Sequence, residues 1–286
     1  MLKRIVNRSE EVVGDRLHAV CRQYDARVYA KVRLADVCKI EHSGLSKDEY
    51  GFALRSHFDF VVTDADHGPL FVVEFDGPLH ETPEQAARDS MKDAICARFS
   101  LPLLRCRSAH IEQRHDGWDL LSWLVDVWFL REAAERMQEE GGLPPDFDFD
   151  PSSIVTSPGH SRRFPYWLGL DSQLKIERLQ QAGRIIDRIP RALYLGVDSK
   201  NVLHGFAMLR IDAQVGVRSK VAMRSQAFRA DLTDALRGVL MNQLFAELQL
   251  ALSEADRASS LNDIDAELKR LMAATVMLSC MGHGGA

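Results

Sequence analysis

Two neighbouring stretches of the chain, residues 57–62 and 70–76, have the length and apolar character of buried β-strands. The segment between them, residues 64–68, ends in Gly68, which can adopt the positive φ of a tight turn. The pattern therefore predicts a β-hairpin whose two strands lie in the protein core.

Three carboxylates interrupt this apolar hairpin. Asp59 lies in the first strand, and Glu74 and Asp76 share one face of the second, because side chains on one face recur at every second position. Burial of an unpaired charge is costly, so these acids should be protonated or bound by cations or strong donors. This arrangement is typical of a divalent-metal site. The alternatives are a capping or turn role for Asp59 and a structural network with Arg or Lys for the other two.

The sequence around the hairpin predicts further helices and strands. Residues 41–56 are polar, contain two glycines and are expected to form a loop. The predicted elements are a helix after Ser9, a strand at 28–37, the hairpin, a helix that begins at Pro83 with Thr82 as N-cap, a strand at 101–106 and a helix at 118–140.

A proline-rich segment, residues 141–165, holds half of the chain's ten prolines and is the expected linker. We therefore predict an α/β domain at residues 1–140 and a second, α+β domain at residues 166–286. In the second domain the pattern indicates a helix at 170–189, strands at 192–198, 202–212 and 215–225 with the last two as a hairpin, and helices at about 228–253 and 261–279.

The composition of the chain indicates a globular protein and argues against a membrane-spanning or secreted one. The chain is 46% hydrophobic and 27% charged, as expected of a globular protein, and no apolar run approaches the ~20 residues of a membrane span. The N-terminal sequence lacks the apolar stretch of a secretory signal. The five cysteines are scattered, without a CxxC pair, which favours a reducing compartment. We expect a cytoplasmic location and no membrane partner.

The net charge of −5 lowers the expectation of nucleic-acid binding. Residues 1–140 carry the negative excess, and residues 141–286 are nearly balanced. Acidic helices can nevertheless surround a local basic groove. Charge alone therefore leaves DNA as a possible partner.

Five short motifs between residues 9 and 108 resemble, in order and spacing, the PD-(D/E)xK nuclease superfamily, especially its very-short-patch-repair-like branch. They are Glu10 on the first helix, His57-Phe-Asp59-Phe, Glu74-Phe-Asp76-Gly followed by His80, Arg88-Asp-x-x-Lys92-Asp, and Leu101-Pro-Leu-Leu-Arg105. The resemblance implies a restriction-endonuclease-like mixed central sheet flanked by helices. It also implies that Asp59 and Glu74 bind Mg²⁺ (or Mn²⁺), helped by the Phe75 carbonyl, with Glu10 as an outer acid.

The chain departs from the superfamily pattern at Asp76, which stands where a lysine is expected two residues after Glu74. Two residues are candidates for the missing group: Lys92, on the following helix, and His80, which can act as a general base near neutral pH. The alternatives are a solvated helix lysine and a loop histidine. The candidate catalytic residues are Glu10, Asp59, Glu74, Asp76, His80 and Lys92, and the candidate phosphate-binding residues are Arg88, Arg105 and Arg107.

The leading hypothesis from sequence is a metal-dependent nuclease that hydrolyses DNA phosphodiester bonds in repair, restriction or phage defence. The alternative is a nuclease-like fold that has lost catalysis and acts as a nucleic-acid-binding or assembly module. The second domain carries no recognised motif. Its expected role is binding of a target or protein partner, or homodimer formation.

Overall fold

A computed structural model of the chain describes residues 4–77, 82–113, 119–151, 167–230 and 232–282. The protein is mixed α/β, with sheets flanked by helices, and it divides into two compact units. The first unit contains Met1–Phe149 and Gln226–Ala230, and the second contains Asp150–Ser225 and Asp231–Ala286. Most of the predicted linker and the predicted helix start at Trp118 lie outside the described residues.

The first unit is built on a four-stranded sheet in the order β1-β2-β3-β4. Strand β2 is antiparallel to both β1 and β3, and β4 runs parallel to β3, so the sheet is mixed, as the sequence resemblance implies. The strands are β1 Arg27–Arg33, β2 His57–Thr63, β3 Pro69–Phe75 and β4 Leu103–Cys106. The helices are α1 Arg8–Cys21, α2 Leu34–Val37, α3 Lys47–Arg55, α4 Pro83–Arg98, α5 Ser108–Ile111 and α6 Leu120–Glu139.

Side chains pack against both faces of this sheet. On one face Phe71 lies in an aromatic cluster, with ring centroids 4.7 Å from Trp128, 5.9 Å from Phe129 and 5.3 Å from Phe228. A second core cluster joins the sheet to α3 and α4; it includes Phe58, Val61, Val72, Leu103, Ala53 and Ile95. Burial on both faces explains why β2 and β3 are almost continuously apolar.

The structure corrects the sequence prediction at two places before the hairpin. Strand β1 ends at Arg33, and residues 34–37 form a short helix instead of extending the strand. Residues 47–55, expected to be part of a loop, form α3. The reason is a capping box: Ser46 accepts a hydrogen bond from the Glu49 backbone, and the Glu49 side chain accepts one from Ser46.

The turn of the β2–β3 hairpin is organised by Asp64. Its Oδ1 atom accepts hydrogen bonds from the backbone N–H groups of Asp66 at 2.9 Å and Gly68 at 2.7 Å. His67, with φ 67°, adopts the positive φ that the sequence assigned to Gly68. The predicted hairpin is confirmed, but a different residue takes the left-handed conformation.

Helix α1 begins with a capping box that also fixes the first candidate acid. The Asn7 side chain accepts a hydrogen bond from the Glu10 backbone at 2.9 Å, and Glu10 Oε2 accepts one from the Asn7 backbone at 2.9 Å. Both bonds satisfy N–H groups that have no partner inside the helix. The start of α1 therefore determines where the Glu10 carboxylate lies.

Substitution Asn7→Ala should lower the free energy of unfolding by about 1 kcal/mol, because the N-cap hydrogen bond is lost. Urea denaturation of the full chain measures this change. The matched control is Asp15→Ala, at an exposed position in the middle of α1, which should change stability by less than about 0.5 kcal/mol. Equal stability of Asn7→Ala and the wild type would contradict the importance of the cap.

The second unit is built on a five-stranded antiparallel sheet in the order β8-β7-β6-β5-β9. The three strands predicted from sequence are present, with β6 and β7 as a hairpin. The elements are α7 Leu170–Gln181, β5 Ala192–Val197, β6 Val202–Arg210, β7 Val215–Arg224, α8 Leu232–Ser253, β8 Ser259–Ser260, α9 Leu261–Ala274 and β9 Val276–Gly282.

Three boundaries of the second unit differ from the prediction. Helix α7 ends at Gln181, where Gly183 follows with a positive φ of 67°, a common end of helices. Helix α9 ends at Ala274, and the following residues form β9, which pairs with β5. Phe228, expected at the start of a helix, belongs to the first unit, and α8 begins at Leu232.

Within the described ranges, every helix is too short or too polar to cross a membrane. The five cysteines are free thiols; four are buried and Cys280 is exposed.

Candidate active site

The candidate acids of the first unit meet in one cleft of about 570 Å³. The cleft lies where the start of α1, the middle of β1 and β2, the end of β3 and the first turns of α4 come together. Its lining residues are Asn7, Arg8, Ser9, Glu10, Lys31, Asp59, Glu74, Phe75, Asp76, Gly77, Gln85, Asp89 and Lys92. Residues spread over more than eighty positions of sequence thus share one concave surface.

Asp59 and Glu74 are neighbours on adjacent strands. The backbone N–H of Asp59 donates to Glu74 Oε1 at 3.3 Å, and the backbone N–H of Phe75 donates to Asp59 Oδ2 at 2.9 Å. Each carboxylate is therefore fixed by the main chain beside the other. Both line the same cleft, as a shared cation site requires.

Lys92 projects from α4 into this cleft. Its Nζ atom donates to Glu74 Oε2 at 2.7 Å and to the His57 carbonyl at 3.0 Å, and it lies 5.7 Å from the centre of the Phe58 ring. The side chain is only 11% exposed. The alternative of a solvated helix lysine is therefore wrong, and the Lys92 ammonium lies beside the Glu74 carboxylate in the cleft.

Burial and charge act in opposite directions on Glu74. Burial raises the pKa of Glu74, the ammonium of Lys92 lowers it, and the nearby Asp59 charge raises it; together they place the pKa at about 7. A carboxyl group with this pKa exchanges its proton near neutral pH. Groups with such shifted pKa values are concentrated at functional sites, although structural ion pairs produce them as well.

Lys31 is a cleft residue that is absent from the sequence candidates. Its Nζ atom bridges two of the acids, at 3.0 Å from Glu10 Oε1 and 2.6 Å from Asp59 Oδ1. Burial lowers the pKa of Lys31, but hydrogen bonds and charge from Asp59 and Glu10 outweigh this, so the pKa is raised above its usual value. Lys31 therefore remains protonated in the cleft.

The register of β1 against β2 explains why sequence did not reveal Lys31. The pairs Ala30–Phe60 and Val32–Phe58 place position 31 opposite Asp59. Residues 34–56, which contain two helices, separate these strands, so no short turn fixes their register in the sequence. The only signal was a lysine on a predicted strand next to the hairpin.

Asp76 is neutralised by an arginine in the interior of the first unit. Arg105 donates to Asp76 Oδ1 at 3.2 Å and to Asp93 Oδ1 at 2.7 Å, and it lies 3.4 Å from Asp89 Oδ1. The Arg105 side chain is only 8% exposed. From sequence, Arg105 was a candidate for contacting phosphate, but in the structure its guanidinium belongs to an ion-pair network. A structural network with Arg or Lys is also the alternative that the sequence left open for Asp76.

The other predicted positions lie elsewhere. Arg88 and Arg107 are exposed and are not among the described residues that line the cleft. His80 lies outside the described residues. The structure thus brings together Glu10, Asp59, Glu74, Asp76 and Lys92.

The carboxylates of Asp59 and Glu74 are suitable ligands for Mg²⁺ or Mn²⁺, but they are only two protein ligands. Across the ranges that the structure describes, no group of three or more His, Cys, Asp or Glu side chains is arranged to hold a metal ion. Mg²⁺ is commonly held by one or two carboxylates together with waters and substrate phosphate oxygens. Two adjacent carboxylates facing an open cleft satisfy that requirement.

Comparison with known proteins gives one match. Residues 2–118 match the model of a family described as "Protein of unknown function (DUF2726)". No curated protein and no solved structure matches the chain. The match covers less than half of the chain, and it includes the cleft residues Glu10, Lys31, Asp59, Glu74 and Lys92. The first unit is therefore similar to this family across the whole candidate site.

Proposed function

We propose that the first unit is a metal-dependent nuclease of the PD-(D/E)xK type that hydrolyses phosphodiester bonds of DNA. The order of its elements supports the restriction-endonuclease-like assignment: α1 precedes three antiparallel strands, and α4 connects β3 to the parallel strand β4. The positions of the acids support it as well, since Asp59 and Glu74 lie on adjacent strands and Glu10 lies on the first helix. Repair, restriction and phage defence are the processes that fit this activity.

The observation that carries the proposal is the ion pair between Lys92 and Glu74. The sequence motif lacks its lysine because Asp76 occupies that position and pairs with Arg105. Lys92 supplies an ammonium at the same carboxylate from a different element, at 2.7 Å. A lysine that has moved from the strand to a neighbouring helix preserves the set of two acids and one cation.

Four residues of the cleft have a role in this proposal. Asp59 and Glu74 would hold Mg²⁺ or Mn²⁺, which when bound activates water and stabilises charge on the phosphate. Lys92 is fixed by the His57 carbonyl and by packing on Phe58, so its ammonium is already oriented toward the cleft. A fixed cation of this kind stabilises the negative charge that develops on a phosphate during hydrolysis. Glu10 adds an outer carboxylate.

The second candidate is a catalytically inactive nuclease-like fold that acts as a nucleic-acid-binding or assembly module. The ion pairs themselves favour it, because Lys31 pairs with Glu10 and Asp59, and Lys92 pairs with Glu74. The negative net charge also favours it. A role of the second unit in binding a target, a protein partner or a second copy of the chain remains a prediction.

Cleavage of DNA by the full chain distinguishes the two candidates. The wild type should cleave single- or double-stranded DNA in Mg²⁺ or Mn²⁺ and should stop when EDTA is added. Metal binding without cleavage of either substrate would favour the inactive module.

Substitution Lys92→Met should reduce the rate of DNA cleavage by about a hundredfold, because one oriented donor to the developing charge is lost. Single-turnover cleavage of end-labelled DNA measures the effect. Arg98→Met is the matched control: it removes an exposed cation from the last turn of α4, outside the described lining of the cleft, and should leave the rate unchanged.

His80→Ala separates the two candidates for the missing lysine. If Lys92 has this role, His80→Ala should retain turnover. Full turnover of Lys92→Met, combined with loss of turnover in His80→Ala, would transfer the role to the histidine.

A further inference from the structure

We propose that Lys31 is an internal placeholder for the metal ion. Its ammonium holds Glu10 and Asp59 together in the metal-free protein, and it must leave Asp59 when a divalent cation binds. Lys31 therefore lowers the affinity of the cleft for divalent cations while it keeps the metal-free site assembled. This inference rests on the proposed function, because it concerns the same metal site.

The position of the ammonium is the first support. Lys31 Nζ lies 2.6 Å from Asp59 Oδ1, whereas the other oxygen, Oδ2, accepts the Phe75 N–H. Oδ1 is thus the Asp59 oxygen that a side chain holds, and that side chain is a cation. A divalent ion at this oxygen would lie within a few ångströms of the ammonium, where like charges repel strongly in a partly buried site.

The two lysines of the cleft differ in how firmly they are held. Lys92 is 11% exposed and also bonds to the His57 carbonyl. The Lys31 side chain is 29% exposed and bonds only to carboxylates among the contacts described. A long side chain with partial exposure can move its ammonium into water while its carbon chain stays packed. Lys31 is therefore the lysine that can leave.

The backbone of Lys31 is a second, independent observation. The residue has φ 57° in the middle of β1, although glycine is the residue that adopts positive φ without cost. Such conformations persist only where the surrounding structure compensates for them. Strained residues of this kind are concentrated at functional sites, and Lys31 lines the cleft.

A neighbouring charge explains why a placeholder is useful. Glu74 lies beside Asp59, whose backbone N–H donates to Glu74 Oε1 at 3.3 Å. Without Lys31, Glu10 and Asp59 would repel each other, and the cleft would hold uncompensated negative charge. Lys31 stabilises this arrangement until a metal ion replaces it.

The test is the affinity of the full chain for Mn²⁺ in the absence of DNA, measured by isothermal titration calorimetry. Lys31→Met should bind Mn²⁺ about tenfold more tightly than the wild type, because the ion no longer has to break a hydrogen bond between charged groups. Lys31→Gly should bind more tightly as well, and it removes the backbone strain at the same time. The glycine variant therefore allows the same comparison of Mn²⁺ affinity if the methionine variant folds poorly.

Arg33→Met is the matched control for loss of a positive charge from β1. Arg33 pairs with Asp36 at 2.6 Å and is not among the described residues that line the cleft, so this variant should bind Mn²⁺ with wild-type affinity. Thermal unfolding gives a second readout. Lys31→Met should unfold at a lower temperature than the wild type without metal and should gain more stability from added Mn²⁺.

The outcomes separate this inference from the proposed function. Equal Mn²⁺ affinity of the wild type and Lys31→Met, or weaker binding by the variant, would overturn the placeholder while leaving the metal site intact. Absence of Mn²⁺ binding by both proteins would overturn the metal site, and the placeholder with it.

Discussion

Glu74→Gln is expected to abolish metal-dependent DNA cleavage, with a rate at least about a thousandfold below that of the wild type. Metal ions contribute several kcal/mol of transition-state stabilisation, and each 1.36 kcal/mol corresponds to about a tenfold change in rate. The amide has nearly the same shape as the carboxylate, so the packing around β3 is retained, but it cannot supply the negative charge that holds the ion. Single-turnover cleavage of end-labelled DNA measures the effect.

Glu84→Gln is the matched control for this substitution. Glu84 is an exposed acid in the first turn of α4 and does not belong to the described lining of the cleft, so the variant should cleave at the wild-type rate. Cleavage by Glu74→Gln at a rate within a few fold of the wild type would show that the assigned carboxylate is not part of the active site.

Arg105→Met is expected to lower the free energy of unfolding by about 3–5 kcal/mol, the usual cost of removing one partner from a buried ion pair. The guanidinium pairs with Asp76, Asp89 and Asp93, and methionine removes the positive charge that these three carboxylates share. The side chain also donates to the Asp89 carbonyl at 3.3 Å, and this bond is lost as well. Urea denaturation followed by circular dichroism measures the change.

Arg107→Met is the control for Arg105→Met. Arg107 is exposed two residues further along the chain, so its substitution should alter stability by less than about 0.5 kcal/mol. A loss of less than about 1 kcal/mol in Arg105→Met would contradict a structural role and would return Arg105 to the candidate phosphate-binding residues.

The central part of the fold could be predicted because its signals are local. The apolar runs of β2 and β3 and the short turn between them predict the hairpin, and the Thr82–Pro83 pair predicts the start of α4. Asp59 and Glu74 could be placed together because both lie on that hairpin. Their positions next to each other depend only on how β2 pairs with β3, and the short turn between these strands largely fixes that register.

The elements that the sequence analysis does not predict depend on a short capping motif or on contacts between distant parts of the chain. The motif Ser46-Lys-Asp-Glu49 has the spacing of a capping box, but the polar composition of residues 41–56 suggested a loop. Strand β9 follows α9 directly and is stabilised by pairing with β5, which lies about eighty residues earlier. Residues 276–282 continue directly from the predicted helix, so the local sequence does not indicate a strand there.

Some residues of the candidate site could likewise be predicted from local sequence, whereas others depend on distant contacts. Lys92 could be named as a candidate because a helix after the hairpin can direct a lysine back to it. Lys31 could not, since its place opposite Asp59 depends on the pairing of β1 with β2 across two intervening helices. The role of Arg105 was also hidden, because sequence does not show whether an arginine at a strand end faces solvent or three carboxylates.

The rate of DNA cleavage as a function of Mn²⁺ concentration, measured for the full chain and for Asp59→Asn, tests the proposed nuclease site most directly. The account predicts that wild-type cleavage rises to a plateau with Mn²⁺, falls to zero with EDTA, and is lost in Asp59→Asn at every metal concentration. Cleavage by Asp59→Asn with the same metal dependence as the wild type, or no cleavage of any DNA by the wild type, would contradict it.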